Sequence, residues 1–389
     1  MAVKILIADD EPDLEVLVRQ RFRKQIRDKE YVFVFAGNGV EALDRFQSDP
    51  EIELVLTDIN MPVMDGLTLL AKLVEHNPLI QPVIVSAYGD LHNIRTAMNR
   101  GAFDFLTKPI DFQDFETTLT KTLQQVRLLK EGEQNRVQLA MLQRELSVAH
   151  MIQQSMLPQD SPQVPGSAAL DVSATMLPAR NVGGDFYDYF LLDADRLGLV
   201  IGDVSGKGIS AAMFMAMSRT ALKAVALRRA PPGECLQEVN DFLCQENHTE
   251  MFVTVFYGVL NLRTGEFQYS NGGHNPPYLL TQGGAPAVLD VDAGGSVLGM
   301  FQGQLFTTGQ TVLRPGDGLF LYTDGVTEAM DRGQQQFDLQ RLSAFLQRSN
   351  TQSAADLVHG VVAAVHEFTA GATQSDDLTA LVVRYLGRT

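Results

Sequence analysis

The sequence predicts an α/β domain with a doubly wound parallel sheet at its N-terminal end, then a long helix, then a second and larger globular part. Over residues 1–121, short apolar runs alternate with helix-length segments, and the runs stop at charged or hydroxyl residues. Alternation of this kind builds βαβ units, which present their sites beyond the carboxyl ends of the strands. The long helix is indicated by a Pro-free stretch with a narrow apolar seam that follows the sheet-forming region.

Taken in order, Val3–Ala8 is a near-continuous apolar run that ends at Asp9-Asp10-Glu11. Residues 54–66 (LVLTDINMPVMDG) read as a buried strand delivering Asp58 to a loop marked by Pro and Gly. Residues 82–85 lead to Ser86, and residues 104–107 lead to Lys108. Helix-like segments at 12–24, 39–46, 66–74 and 91–100, and one opening near Asp111, separate these runs. Asp9, Asp10, Asp58, Ser86 and Lys108 are then expected at one edge of the sheet. A strand-end acid such as Asp58 can be a metal ligand, a ribose clamp or a phosphoryl acceptor, and its companions decide. Three carboxylates can hold one hard divalent cation through oxygens. Ser86 and Lys108 could then bind the oxygens of a phosphoryl group on Asp58.

With these residues in place, 1–121 resembles the receiver domain of two-component response regulators. The resemblance implies a five-stranded parallel sheet and a histidine kinase that supplies the phosphoryl group to Asp58. It also implies a Mg2+ ion bound by Asp10, Asp58 and the Asn60 backbone carbonyl, with Asp9 helping through water. Ser86 and Lys108 would sense the phosphoryl group, and Phe105 stands at the aromatic switch position. The family often has Thr where this chain has Ser86, a departure that keeps the hydroxyl.

At 389 residues there is room for two or three domains. A hydrophobic content of 45% with 20% charged residues is that of a folded chain, not a disordered one. The formal net charge of −16 divides as −7 over 1–121, 0 over 122–160 and −9 over 161–389. Neither globular part would attract a polyanion, so DNA binding is disfavoured as the output. Cys235 and Cys244 are too far apart for a Cys-x-x-Cys metal pair and are expected as reduced filler in a helix, which fits a cytoplasmic location. No signal peptide is expected, because Asp9-Asp10-Glu11 interrupts the first apolar run. The apolar segment 209–227 contains Arg219 and Lys223 and is no membrane span.

Residues from about 122 to 157 are rich in Gln, Leu and Arg. Leu119, Leu123 and Val126 follow a four-then-three spacing. Leu139, Leu142, Leu146 and Ala149 follow three-four-three, and Ile152 with Met156 continues the stripe. Such a seam pairs with another helix, so 122–160 is expected to be a coiled-coil linker that makes a homodimer through 122–157. The two patterns do not share one register, and a stutter or hinge is expected at Glu131-Gly132-Glu133 between them. Pro158, Pro162 and Pro165 end the helix.

The part from 161 to 389 carries a second set of acids at or beside strand ends. Asp185 lies in Arg180-Asn-Val-Gly-Gly-Asp-Phe-Tyr-Asp188, and Asp203 in Leu199-Val-Ile-Gly-Asp-Val-Ser-Gly-Lys-Gly208. Asp324 follows the apolar run 319–322, and Asp376-Asp377 precede the final one. Acids gathered without basic partners repel one another unless a cation joins them. No His or Cys cluster accompanies them, which favours Mg2+ or Mn2+. The GDVSGKG turn is one residue short of a phosphate-cradling nucleotide loop and has Gly208 where that loop needs Ser or Thr. Gly183-Gly-Asp-Phe-Tyr187 resembles the Gly-Gly-Asp-Glu-Phe signature of diguanylate cyclases, but Phe186 replaces a required acid.

The ordered series GGDFYD, GDVSGKG, Asn271-Gly-Gly-His-Asn-Pro-Pro277, Thr323-Asp324-Gly-Val-Thr-Glu and Asp376-Asp-Leu-Thr resembles the metal-dependent PPM protein phosphatases, in their sporulation and stress-response branch. The segment Ala149–Pro158 (AHMIQQSMLP) resembles what precedes such domains. The resemblance implies an α+β domain, a β-sandwich flanked by helices, holding two Mn2+ or Mg2+ ions. Asp203 would bridge the ions, Asp185 and the Val204 backbone carbonyl would complete one site, and Asp324 and Asp376 would bind the other. Arg180 would hold substrate phosphate, whereas His274 and its turn are expected to be structural. The expected function is a response regulator whose output dephosphorylates phosphoserine or phosphothreonine on a protein, by resemblance an anti-sigma-factor antagonist, under control of Asp58. The competing expectation is a non-catalytic adaptor in which a phosphatase-like domain binds a regulatory partner.

Overall fold

The computed structural model describes residues 2–87, 89–158, 170–248, 250–291 and 295–387, in two compact units, Met1–Leu142 and Gln143–Thr389. In the first unit, strands β1 (Val3–Ala8), β2 (Tyr31–Ala36), β3 (Ile52–Asp58), β4 (Val83–Ala87) and β5 (Asp104–Lys108) form a parallel sheet ordered β2-β1-β3-β4-β5. Helices α1 (Pro12–Arg21), α2 (Arg23–Arg27), α3 (Gly39–Ser48), α4 (Gly66–His76), α5 (Leu91–Asn99) and the start of α6 (Phe112–Met156) connect and follow these strands. Winding reverses between β1 and β3, and a ligand crevice forms at such a reversal. Leu54 and Leu56 of β3 pack with Phe22, Phe115 and Leu119, whereas Val55 packs with Phe46 and Leu69 on the other face. Burial on both faces is why these strands read as continuous apolar runs.

The helix expected over 12–24 is interrupted at Phe22, whose buried ring packs against Tyr31, Phe33 and Phe115. Helix α4 is capped by Asp65, which accepts from the Thr68 N–H. A Cβ on Gly66 would lie 2.0 Å from the Asp58 carbonyl oxygen, so only glycine lets α4 begin directly beneath Asp58. Helix α6 runs unbroken for 45 residues through Glu131-Gly132-Glu133, where a hinge was expected. A single internal glycine costs only about 1 kcal/mol relative to alanine, which flanking helix formers offset. The change of register is thus a change of apolar face. Leu119, Leu123 and Val126 are buried, whereas Leu139, Leu142, Met151 and Ile152 are exposed. Pro162 and Pro165 of the expected linker lie outside the described residues.

The second unit contains β6 (Leu170–Leu177), β7 (Phe186–Leu191), β8 (Arg196–Val204), α7 (Ile209–Ala226), α8 (Pro232–Glu246), β9 (Val253–Asn261) and β10 (Glu266–Gly272). It continues with β11 (Tyr278–Leu280), β12 (Ala287–Val288), β13 (Gly309–Val312), β14 (Gly318–Tyr322), α9 (Asp324–Thr327), α10 (Asp338–Ser349), α11 (Ala354–Thr369) and β15 (Leu378–Tyr385). These strands make two antiparallel sheets, β13-β10-β9-β8-β7 and β12-β11-β14-β15-β6. Period-2 alternation divides β14 and β15 between two cores. Leu319, Leu321, Leu381 and Val383 join Leu199 and Ile201 in the core shared by the sheets and by Phe214 and Leu222 of α7. Phe320, Tyr322, Ala380 and Val382 pack under Leu342, Leu346, Leu357 and Val361 of α10 and α11. The result is the expected helix-flanked β-sandwich. Cys235 and Cys244 are both unpaired on α8. Among the described residues, no helix is long and apolar enough to cross a membrane.

Candidate metal and phosphoryl sites

The carboxyl end of the parallel sheet gathers the acids as the sequence predicts. Oxygens of Asp9, Asp10 and Asp58 lie within 4.8 Å of one another, the only such trio of metal-type ligands among the described residues. Asp58 is buried at the end of β3, and its Oδ1 accepts from the Asn60 N–H at 3.2 Å. Lys108 Nζ reaches Asp58 Oδ2 at 2.6 Å, with Asp9 and Glu11 each at 3.0 Å. Desolvation works against the charge on Lys108, but the bonds to Asp58, Glu11 and Asp9 outweigh it and raise its pKa. Burial raises the Asp9 carboxyl above the ordinary range. Ser86 Oγ is buried in β4 without a hydrogen-bond partner. A trio of hard oxygen donors beside an unsatisfied hydroxyl suits a small divalent cation and a phosphoryl group. Phe105 is 39% exposed on β5, a surface position rather than a packed one.

In the second unit, antiparallel pairing sets the start of β7 beside the end of β8, with Phe186 opposite Gly202. It likewise sets the start of β15 beside the end of β14, with Tyr322 opposite Ala380. Asp185, Asp203, Asp324 and Asp376 are delivered by these strand ends. Asp185 is fully buried, and its Oδ2 accepts from Thr323 Oγ1 at 2.7 Å and Thr379 Oγ1 at 2.6 Å. Burial first, then the charges of Asp203 and Asp377, push its carboxyl well above the ordinary range. Asp203, hydrogen-bonded to Asp185, is pushed up to about 7 by burial and by Asp324. Asp324 is raised by burial, then by Glu328 and Asp376. The Val204 carbonyl oxygen faces the Asp185 loop so closely that a Cβ on Gly184 would be 2.8 Å from it. A mutually repelling, all-oxygen donor set without His or Cys fits Mg2+ or Mn2+. Asp376 is about one-third exposed and pairs with Lys207 Nζ at 2.8 Å.

Several functional contacts lie beyond the predicted ligands. Asp377 is buried and anchors the loop before β7. Its Oδ1 accepts from Ala179 N–H at 2.8 Å, and its Oδ2 from Gly184 N–H at 2.7 Å. Thr323 and Thr379 stand inside motifs already singled out, and their position beside strand-end acids was the available signal. Lys207 was visible only as part of the Gly-rich turn. Arg180 is exposed, with Nη1 3.9 Å from where a Cβ on Gly208 would sit. His274 is buried between Thr254 Oγ1 at 2.9 Å and the Tyr322 carbonyl at 3.1 Å, tying one sheet to the other. Burial lowers its pKa to about 4, so it packs as a neutral ring.

Comparison with known proteins finds matches to both units. A response regulator receiver domain model matches residues 5–120, and a model of stage II sporulation protein E (SpoIIE) matches residues 193–386. The phosphoserine phosphatase RsbU of Bacillus subtilis is 31% identical over 242 residues, which cover 62% of this chain and 70% of RsbU. Protein IcfG of Synechocystis sp. is 32% identical over 266 residues, 61% of this chain but 41% of IcfG, so the chain spans less than half of that relative. The SiaA-PP2C domain of Pseudomonas aeruginosa shares the fold, with a TM-score of 0.56 and 21% identity over 63% of this chain and 98% of that domain. A receiver domain with acids at its sheet edge, joined to a sandwich with acids at its strand ends, thus places the chain in the SpoIIE family of PPM phosphatases, with a response regulator receiver domain at its N-terminal end.

Proposed function

We propose that this protein is a response regulator that hydrolyses phosphoserine or phosphothreonine on a protein substrate, of the anti-sigma-factor-antagonist class, under control of phosphorylation at Asp58. The observation that carries this reading is the delivery of Asp185, Asp203, Asp324 and Asp376 by strand ends of both sheets, with Asp185 held by two buried hydroxyls. The proposed division is a receiver at 1–121, a helical linker at 122–160 and a phosphatase domain at 161–389.

Two Mn2+ or Mg2+ ions would supply an ionised water and neutralise charge on the phosphoryl oxygens when bound. Asp203 would serve both ions, Asp185 and the Val204 carbonyl one of them, and Asp324 with Asp376 the other. Thr323 and Thr379 occupy Oδ2 of Asp185, which leaves Oδ1 as its available ligand oxygen. Arg180 and Lys207 are the cations beside the acids and would hold substrate phosphate. In the receiver, Asp10, Asp58 and the Asn60 carbonyl would hold Mg2+, with Asp9 acting through water. A histidine kinase would supply the phosphoryl group. Lys108 already engages Asp58, and the Ser86 hydroxyl is free to donate to a phosphoryl oxygen. Charge added at Asp58 would bias a two-state element. That element is α6, which would dimerise through the exposed Leu139, Leu142 and Ile152 and shift α7 behind Asp203.

The test is Mn2+-dependent phosphate release from a phosphoserine peptide by the full chain, with Asp203→Asn as the inactive control. Absence of turnover with every divalent metal and several phosphoproteins would replace the enzyme reading with the adaptor.

A further inference from the structure

Gln153 is 4% exposed on a helix whose adjacent residues Met151 and Ile152 are 61% and 58% exposed. A polar side chain buried on an otherwise solvated helix turn must find partners for its donor and its acceptor. Gln153 finds both on one peptide unit. Its Nε2 donates to the Gly183 carbonyl at 2.7 Å, and its Oε1 accepts from the Gly183 N–H at 3.1 Å. One turn earlier, His150 Nδ1 bonds the Asn181 carbonyl at 2.8 Å, and one turn later Leu157 enters the sandwich core. On the opposite side the loop is pinned by Asp377, whose Oδ2 would stand 2.1 Å from a Cβ on Gly183. Residue 183 must therefore be glycine, and its buried backbone, bare of a side chain, is what Gln153 grips.

We propose that Gln153 is a positioning residue that sets the Gly183-Gly184-Asp185 loop from the last turns of α6, and so makes the metal site of the second unit answer to the placement of that helix. Gly183, which Gln153 holds, lies two residues before Asp185. A single side chain makes both bonds, so rotating or fraying the end of α6 removes them together. The same helix begins with Phe115, Leu119 and Leu123 in the core of the first unit. Position along α6 thus becomes position of the Asp185 backbone. The inference rests on the phosphatase reading, which it deepens by naming the lever.

The experiment uses full-length Gln153→Met, which keeps volume and helix propensity but removes both bonds, with exposed Met151→Ala as control. Two quantities are read: amide hydrogen exchange at Gly183 and Gly184 without metal, and the Mn2+ concentration giving half-maximal phosphate release. Loss of two hydrogen bonds should speed exchange and raise the Mn2+ requirement, each by roughly tenfold or more, with KM for peptide at saturating Mn2+ unchanged. Met151→Ala should match the wild type in both. Wild-type exchange and Mn2+ requirement in Gln153→Met would overturn the proposal, as would equal shifts in Met151→Ala. If Gln153→Met does not fold, Gln153→Glu keeps the acceptor for the Gly183 N–H but loses the donor to its carbonyl. It should then leave exchange at Gly183 slow and still raise the Mn2+ requirement, and an unchanged requirement overturns the proposal. If the wild type itself releases no phosphate, the enzymatic reading fails, and exchange at Gly183 alone decides the positioning role.

Discussion

Adjacent acids at the start of β15 should respond to substitution in opposite ways. Asp377 is buried, with short bonds from the Ala179 and Gly184 N–H groups at 2.8 and 2.7 Å and a longer one from Asp185 N–H at 3.4 Å. Hydrogen bonds to a charged group are worth about 1.5–3 kcal/mol each, and one at 3.4 Å adds little. Asp377→Ala leaves two backbone donors unpaired where water cannot reach them, so the second unit should lose about 3–6 kcal/mol. Asp376 is one-third exposed in its pair with Lys207, and an open pair of this kind contributes at most about 1 kcal/mol. Its Oδ1 also accepts from the Asp377 N–H at 2.9 Å, a bond the asparagine oxygen can keep. Asp376→Asn should therefore leave the fold nearly untouched while abolishing phosphate release. Calorimetry of the full chain resolves the question if the units melt separately. At about 2–4 °C per kcal/mol for a unit of this size, Asp377→Ala should lower one transition by roughly 6–24 °C, and Asp376→Asn by no more than a few degrees. A change below about 1 kcal/mol for Asp377→Ala would refute the idea that its carboxylate holds the loop. Greater destabilisation by Asp376→Asn would show that the two roles are exchanged.

Asp58→Asn should abolish stimulation of phosphate release by a small-molecule phosphodonor while basal release persists, and a variant that still responds refutes Asp58 control. Gly66→Ala places a methyl 2.0 Å from the Asp58 carbonyl oxygen. It should destabilise the first unit by about 1–3 kcal/mol and slow phosphorylation of Asp58, measured by denaturation and by phosphodonor labelling. The metal-free second unit should become less stable between pH 6.5 and 8. Burial and Asp324 raise Asp203 to about 7, so the folded chain there holds a proton that the unfolded chain has released, and stability falls as pH rises through that value. His274, lowered to about 4, works the other way, and only below its ordinary value of 6.5. Mn2+ should reverse the loss at pH 8, and a melting temperature that rises over this interval without metal would contradict the clustering of the acids.

The ligand set was legible because chemistry in such folds sits where strands stop, and a strand stop is a local event in the sequence. Asp58, Asp203 and Asp324 each stand one residue beyond an apolar run, and the small residues beside them mark the turn. The helix break at Phe22 was not legible, since it depends on rings at Tyr31, Phe33 and Phe115 that come together only in the folded sheet. The continuity of α6 is hidden in the sequence for a related reason. A change of apolar register reports which face is covered, and only the covering partners decide whether the backbone bends.

The groups that hold the ligands are of a different kind. Thr323 and Thr379 reach Asp185 across 138 and 194 residues, and Asp377 reaches Gly184 across 193. Two of these are neutral hydroxyls, which carry no charge pattern and occur throughout the chain. Their effect is nevertheless large, because Asp185 is sealed from water and each donor decides where one carboxylate oxygen stays. Gln153 follows the same rule from only 30 residues away. It was hidden because a glutamine on an exposed helix reads as solvated, and nothing local says that its turn is the one the loop covers. The acids locate the site, but it is the donors around Asp185 and Gly183 that fix the ligand geometry. A substitution among those donors should therefore disturb metal binding without touching a ligand.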